Sequence, residues 1–438
     1  MIKKIVLALC FLGVIGSAEA KIIDFESFKI DNGLEVVVIS NHKAPVSLIK
    51  LYYKVGAVDE PYFKGGMAHL LEHLMFRGTK KVKDKEFNHL TEVNGVQNNA
   101  YTTFAHTGYY EFSDISKLEL MMALEADRMT NLEISDEVFE TERGVVLEER
   151  LQRFETNVAT KFYETIEKIF WDKHPYARPI SGEVEVIKGL LKKDIIEFYE
   201  KYYQPSNAIL VLAGDIKLEE AKVLVDKYFG KIKNKNLIER KKIEEPKEEK
   251  VYFGMKLNEI LQKRFVGYWH LPIGSLKRDE KMALNFLSKY LGGGDTDYLY
   301  DELVYKGNQF LSVDMGYKYD EKLGGYIFFS GVPVDEKMKL EEFEEILNEY
   351  MKRGIDEVDE NKVEKIKNRI LSGSVYLIEE PRGMANFVGE AKLQDYSDDE
   401  IKNLDDEIKK VRVKDVVEIF QKIFNQKVKK VYGELDKI

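Results

Sequence analysis

The sequence predicts an α+β fold of two homologous halves, each a mainly antiparallel sheet covered by helices. Three observations carry this. Strand-like and helix-like patterns alternate but also come in runs, which favours a sheet-and-helix sandwich over a strictly doubly wound sheet. Residues 233–250 hold lysine, glutamate and arginine with little to bury, the texture of a linker. Lys193-Asp194-Ile195-Ile196-Glu197-Phe198-Tyr199 is echoed by Lys414-Asp415-Val416-Val417-Glu418-Ile419-Phe420, an offset of 221 residues, about half the chain. Each copy then runs into an apolar stretch, Ile209–Leu212 and Val428–Val431, expected as strands. The expected division is a first domain over 21–232, a charged linker over 233–250 and a second domain over 251–438.

At 438 residues the chain is too long for one ordinary core, which agrees with two domains. With 44% hydrophobic and 33% charged residues it reads as a soluble globular protein, and its formal charge of −10 argues against nucleic acid as a main partner. The first twenty residues read differently. Lys3 and Lys4 precede an apolar run from Ile5 to Ile15, and Ala18-Glu19-Ala20 is a small-x-small end, so 1–20 is expected to be a signal peptide cleaved after Ala20. The run falls well short of the ~20 apolar residues that span a bilayer, so no stable membrane span is expected. Cys10 is the only cysteine, so the mature chain would be exported, periplasmic or secreted, and would hold itself together without disulfides.

Along the first half, Leu34–Ile39 and Val46–Tyr53 read as strands joined by a turn at Asn41-His42-Lys43. Ser116–Asn131 has apolar residues at helical spacing, and Ser135 with Asp136 and Glu137 marks the start of a second helix running to about Phe154.

His69-Leu70-Leu71-Glu72-His73 carries the sharpest chemistry. On a helix, positions four apart share a face, so both imidazoles reach one cation while Glu72 projects beside them and the leucines bury the opposite side. With 7 histidines and 77 acidic residues in the chain, a chance match is expected roughly 0.02 times, so two idle surface histidines explain it poorly. Zinc suits two neutral imidazoles and one carboxylate with a fourth position left for water. The second acidic helix offers that carboxylate. Glu142 and Glu149 lie about two turns apart on one face, with Glu148 rotated ~100° away, and spacing alone leaves the choice open.

His69–His73 with Leu74-Met75-Phe76-Arg77-Gly78-Thr79, then Asn99-Ala100-Tyr101-Thr102, then Glu142-Arg143-Gly144-Val145-Val146-Leu147-Glu148-Glu149, resembles the pitrilysin, insulinase and mitochondrial processing peptidase family. His174-Pro175-Tyr176, Pro179-Ile180-Ser181-Gly182 and Tyr203–Ala208 agree with it, and the likeness spans the mature chain, loosely in its second half. The family inverts the usual zincin motif to His-x-x-Glu-His. The resemblance implies one Zn2+ per chain on His69, His73 and Glu149, Glu142 as a supporting carboxylate, and Glu72 as general base. It also implies half of a clamshell chamber, as in the short two-domain bacterial-type subunits. Peptide or unfolded polypeptide would bind extended along the Gly95–Thr102 edge, at Asn99, Ala100 and Tyr101.

Active family members also use an arginine and a tyrosine in a second-half segment, to hold substrate. Here Leu303-Val304-Tyr305-Lys306-Gly307-Asn308-Gln309-Phe310 stands in that place, with Val304 and Phe310 where those residues belong, and no arginine lies between Arg278 and Arg353. A hydrophobic side chain cannot donate a guanidinium's hydrogen bonds. The expected partner is therefore a homologous subunit that lacks the zinc motif but carries the Arg/Tyr pair. A homodimer in which Tyr298 or Tyr305 substitutes is the alternative assembly. A zinc-stabilised subunit that binds peptides without cutting them is the alternative function.

Overall fold

The computed structural model describes residues 23–235, 240, 242–292 and 294–438. The expected signal peptide, and residues 236–239 and 241 of the expected linker, lie outside the described residues.

Strands β1 (Glu26–Lys29), β2 (Glu35–Ser40), β3 (Val46–Tyr53), β4 (Gln97–Thr102), β5 (Thr107–Asp114) and β6 (Ala208–Gly214) form one sheet in the order β1-β2-β6-β3-β5-β4. Strands β7 (Lys250–Leu257), β8 (Arg264–Leu271), β9 (Phe310–Asp320), β10 (Gly324–Pro333) and β11 (Lys430–Lys437) form a second in the order β7-β11-β8-β10-β9. Apart from the extra edge strand β1, the two orders are the same. In each sheet the pair β2–β6 or β7–β11 is parallel and the remaining pairs are antiparallel. The half-chain repeat is thus a repeat of topology. The expected strand Val428–Val431 begins instead at Lys430 and runs to Lys437, because pairing with β7 and β8 sets its ends and not its apolar run.

The first-half helices are α1 (Met67–Leu74), α2 (Glu86–Val93), α3 (Leu118–Asn131), α4 (Asp136–Thr156), α5 (Thr160–Trp171), α6 (Val184–Gly189), α7 (Lys192–Tyr202) and α8 (Leu218–Phe229). Val36, Val38, Leu210 and Leu212 point to one face of the sheet, into a core with α1, α3, α7 and α8. Their neighbours Val37, Ile39, Ile209 and Val211 point the other way, as the period of two requires. Burial on both faces explains why these strands read as continuous apolar runs.

What covers the second face comes from the other half. Met384, Ala385 and Val388 of the helix Pro381–Leu393 pack against Val37, Leu48, Tyr52 and Val211. Gly389 lets that helix approach closely, since a Cβ there would lie 2.4 Å from the Tyr52 ring. In return, Phe162, Ile166 and Phe170 of α5 pack on Val266, Tyr268, Val431 and Leu435 of the second sheet. The two exchanged helices begin at Thr160 and Pro381, again 221 residues apart. Among the described residues no helix is long and apolar enough to cross a membrane.

Candidate metal centre

Helix α1 is eight residues long and is anchored by Leu70, Leu71 and Leu74, all fully buried. Each contributes roughly 2 kcal/mol by burial. That face fixed, His69, Glu72 and His73 turn toward α4 and β4. Gly66 precedes the helix at φ +92, a conformation that glycine adopts without strain. Having no side chain, it leaves the first-turn N–H groups to another residue. Glu60 takes them: its Oε2 accepts from Gly66 N at 3.0 Å and its Oε1 from Ala68 N at 2.8 Å. A Cβ at Gly66 would lie 2.7 Å from Ser181 O, and one at Gly182 would lie 2.6 Å from Gly65 O, so the Pro179–Gly182 turn packs backbone to backbone against the start of α1.

Helix α4 is capped by Ser135, whose Oγ accepts from Val138 N at 3.1 Å, and extends two residues past the expected end. It brings Glu142 and Glu149 to α1. Glu149 Oε2 lies 3.7 Å from His69 Nε2 and 3.6 Å from His73 Nε2. Among the described residues these three form the one group of three or more histidine, cysteine or acidic side chains able to hold a metal ion, with ligand atoms within 4.8 Å of one another. A tetrahedron with ~2.1 Å bonds has edges of about 3.4 Å, so a zinc ion fits the set with small adjustments. His69 Nδ1 is buried without a hydrogen-bond partner, which leaves that ring's orientation to a ligand on Nε2.

Glu142 faces the other side of His73: its Oε2 is 3.4 Å from Nδ1, and Arg77 Nη2 is 2.6 Å from its Oε1. A proton held on Nδ1 leaves the Nε2 lone pair for a metal. Glu149 Oε1 accepts from Arg153 Nη2 at 2.7 Å, which leaves Oε2 toward the histidines. Burial, reinforced by the neighbouring His73, pulls His69 down to about 4, so it is neutral near pH 7. For His73 burial acts the same way but is outweighed by the bond to Glu142 and the Glu72 and Glu149 charges, and its pKa rises. Burial also opposes ionisation of Glu142, yet His73 and Arg77 outweigh it and hold that carboxyl below its ordinary range.

Glu72 stands beside this set without joining it. Its Oε2 accepts from Thr102 Oγ1 at 2.6 Å, and burial lifts its pKa above the usual carboxylate range against that bond. A raised carboxyl suits proton transfer near neutral pH. The sequence reading gave no role to Glu60, Arg77, Thr102 or Arg153. The i, i+4 spacing of Glu149 and Arg153 was a periodic signal and Glu60 lies just ahead of its partners in sequence, whereas Arg77 and Thr102 meet theirs only through the fold.

The expected substrate residues lie on β4, a sheet edge with β5 on one side. Ala100 packs toward the core that includes α1, and Asn99 is exposed. Tyr101 turns to the opposite face, where its ring lies 4.9 Å from Lys50 Nζ and 5.7 Å from His106. One side of the β4 backbone is therefore left unpaired within the sheet, while the Tyr101 ring lines the cleft behind it. In the second half Phe310 is buried in the core and Val304 packs against that core. Tyr298 accepts at 3.1 Å from Arg353 Nε, whereas Tyr305 is exposed.

Two homologous sheet-and-helix halves with one histidine–histidine–glutamate cluster define the architecture of a half-clamshell metallopeptidase. The comparisons agree. The family model described as Insulinase (Peptidase family M16) matches residues 35–184, and that described as Peptidase M16 inactive domain matches 190–370. "Zinc protease PqqE" of Helicobacter pylori is 30% identical over 363 residues, covering 81% of this chain and 80% of that one. The "Probable mitochondrial-processing peptidase subunit beta" of Schizosaccharomyces pombe is 30% identical over 55% of this chain and 50% of its own. A solved structure of a protease from Helicobacter pylori superposes with a TM-score of 0.82 at 26% identity, over 94% of this chain and 99% of that one. The first half of the periplasmic protease PqqL from Escherichia coli has the same fold, with a TM-score of 0.77 at 18% identity over 94% and 92% of the two chains. This chain belongs to peptidase family M16.

Proposed function

We propose that this chain is an exported zinc metallopeptidase, with zinc on His69, His73 and Glu149 and with Glu72 as general base. The observation that carries the reading is the convergence of three donor atoms from α1 and α4 beside the Glu72 carboxylate, which stays outside that set. His69, His73 and Glu149 would hold the zinc, and that group would supply Lewis acidity at the scissile carbonyl and a water whose pKa is lowered toward ~7. Glu72, oriented by Thr102, accepts a proton from the attacking water and passes it to the leaving amine. Glu142 keeps the His73 tautomer and ring plane fixed. The free edge of β4 binds peptide as an added strand, with main-chain hydrogen bonds from Asn99 to Tyr101. The two domains divide at 233–250.

The absence of an arginine at Val304, together with burial of Phe310, favours an enzyme completed by a homologous subunit that carries the Arg/Tyr pair. The experiment is a peptidase assay of the zinc-loaded chain, alone and with a co-exported homologue lacking His-x-x-Glu-His, beside its Glu72→Gln variant. Glu72→Gln should retain zinc and lose hydrolysis. Full activity from the isolated chain would defeat the shared site, and equal behaviour of both proteins in every mixture would leave a peptide-binding subunit instead.

A further inference from the structure

Residues 233–250 read in sequence as a solvated tether, yet Arg240 within them is engaged with the first half. Its Nε and Nη2 donate to the two carboxylate oxygens of Asp59 at 2.8 and 2.9 Å, and Nη2 donates also to the Ala105 carbonyl at 3.0 Å. The Asp59 side chain is only 3% exposed, so this bidentate pair is largely shielded from water. In the same linker Glu245 accepts from Ile273 N at 2.7 Å and stands 2.9 Å from His270 Nε2, which pins the segment to the second half as well.

Asp59 and Ala105 belong to the two segments that set the metal centre. Asp59 precedes Glu60, whose carboxylate holds Gly66 N and Ala68 N, the latter immediately ahead of His69 on α1. Ala105 lies in the turn that follows β4, and Thr102, the last residue of β4, donates to Glu72. The two segments also meet directly: Ala57 N donates to Thr103 O at 3.1 Å and Val58 N to Phe104 O at 3.0 Å. Gly56 makes room for this, since a Cβ there would lie 2.4 Å from Thr103 O. Asp59 Oδ2 closes the loop on itself by accepting from Gly56 N at 3.0 Å, and Arg178 donates to the carbonyls of Ala57, Pro61 and Tyr62. Arg178 thus braces the loop alone, whereas Arg240 is bonded to loop and turn together.

We propose that Arg240 is a positioning residue for the metal centre: its guanidinium fastens the loop that holds α1 through Glu60 to the turn behind Thr102, and so fixes His69 and Glu72 relative to each other. A metal site and its general base work only when held to within about 0.5 Å of the productive geometry. Helix α1 has eight residues, so its placement depends on what grips its first turn. A planar fork of fixed donors suits three acceptor oxygens on two segments, and an ammonium group does not reproduce it.

This role rests on the zinc peptidase reading, but amide exchange in the metal-free chain tests it independently. The full chain is compared with Arg240→Met, Arg240→Lys and Asp59→Asn by hydrogen exchange at Gly66 and Ala68, by zinc affinity and by peptidase kinetics. Arg240→Met should speed exchange at those two amides about tenfold, while the amides of α8 exchange as in the parent. Zinc affinity should fall about tenfold, and kcat should drop with KM little changed. Arg240→Lys should move each quantity the same way by a smaller factor, and it decides the matter should Arg240→Met not fold. Asp59→Asn should match Arg240→Met, with the double variant no worse than either, because both remove one link. Lys173→Met, which breaks the exposed contact of Lys173 with Glu244 at 3.6 Å in the same linker, should change nothing. A purely structural role would instead speed exchange evenly across the first half and leave zinc affinity unchanged. That result, or unaltered exchange at Gly66 and Ala68, would overturn the proposal. A parent chain that binds no zinc would count against the peptidase reading, and exchange at the two amides would still decide the role of Arg240.

Discussion

The Thr102 hydroxyl donates to Glu72 Oε2 at 2.6 Å, so the edge strand β4 also aims the carboxylate that stands beside the His69, His73 and Glu149 cluster. Thr102→Val keeps the shape of β4 and removes that bond. The expected outcome is a roughly tenfold fall in kcat, the weight of one hydrogen bond to a charged group, with KM and zinc content unchanged. Steady-state kinetics with metal analysis would check it, and a change confined to KM would count against an aiming role.

Zinc affinity should rank the acidic residues of α4. Glu149→Gln removes a ligand and should abolish stoichiometric binding, while Glu142→Gln loosens the hold on His73 and should weaken it 10- to 100-fold, roughly the effect of losing an outer-shell partner. Glu148→Gln, turned away from the site, should bind as the parent does. Competition with a chromogenic chelator measures all three, and identical affinities would sink the ligand assignment.

The two glycines before α1 should differ. A Cβ at Gly66 meets Ser181 O at 2.7 Å in a positive-φ conformation, whereas one at Gly65 meets nothing nearer than 3.7 Å. Gly66→Ala should therefore cost about 1–3 kcal/mol of stability and reduce zinc binding, with Gly65→Ala close to neutral. Denaturant titration of both variants decides this.

Glu167 on α5 is pushed up to about 7 by burial and then by the Glu164 charge. A folded-state pKa raised above the unfolded value stabilises below the ordinary carboxylate range and loses that contribution as pH rises through about 7. Glu167→Gln should remove the loss and make the protein more stable than the parent at pH ~8, by on the order of 2 kcal/mol. Thermal melts across pH would show the two curves diverging on the alkaline side.

Much of this was legible in the sequence because it is local. The i, i+4 histidines, the two-turn separation of Glu142 and Glu149 and the Ser135 cap follow from helix geometry, and the structure carries all three on α1 and α4. The repeat at 221 residues reappears as matching strand orders. Which carboxylate faces which histidine atom was not legible from spacing. Nor was Thr102 as the partner of Glu72, a contact made across the fold, or Glu60 as the cap of α1, which lies only six and eight residues before its partners but at no helical spacing from them. The side of β4 taken by Tyr101 was also missed: it depends on pairing register with β5, which a six-residue polar strand does not advertise.

The exchange of α5 and the helix Pro381–Leu393 sets the order in which the molecule can be made. A first half synthesised alone would leave Val37, Leu48, Tyr52 and Val211 facing water until residues 381–393 emerge, late in translation. Neither half is then a self-sufficient folding unit, and the closing contacts join segments hundreds of residues apart, which makes assembly slow and cooperative. Truncation at residues 233–250 should yield an aggregating fragment, and a single proteolytic nick there should leave two pieces that stay clasped.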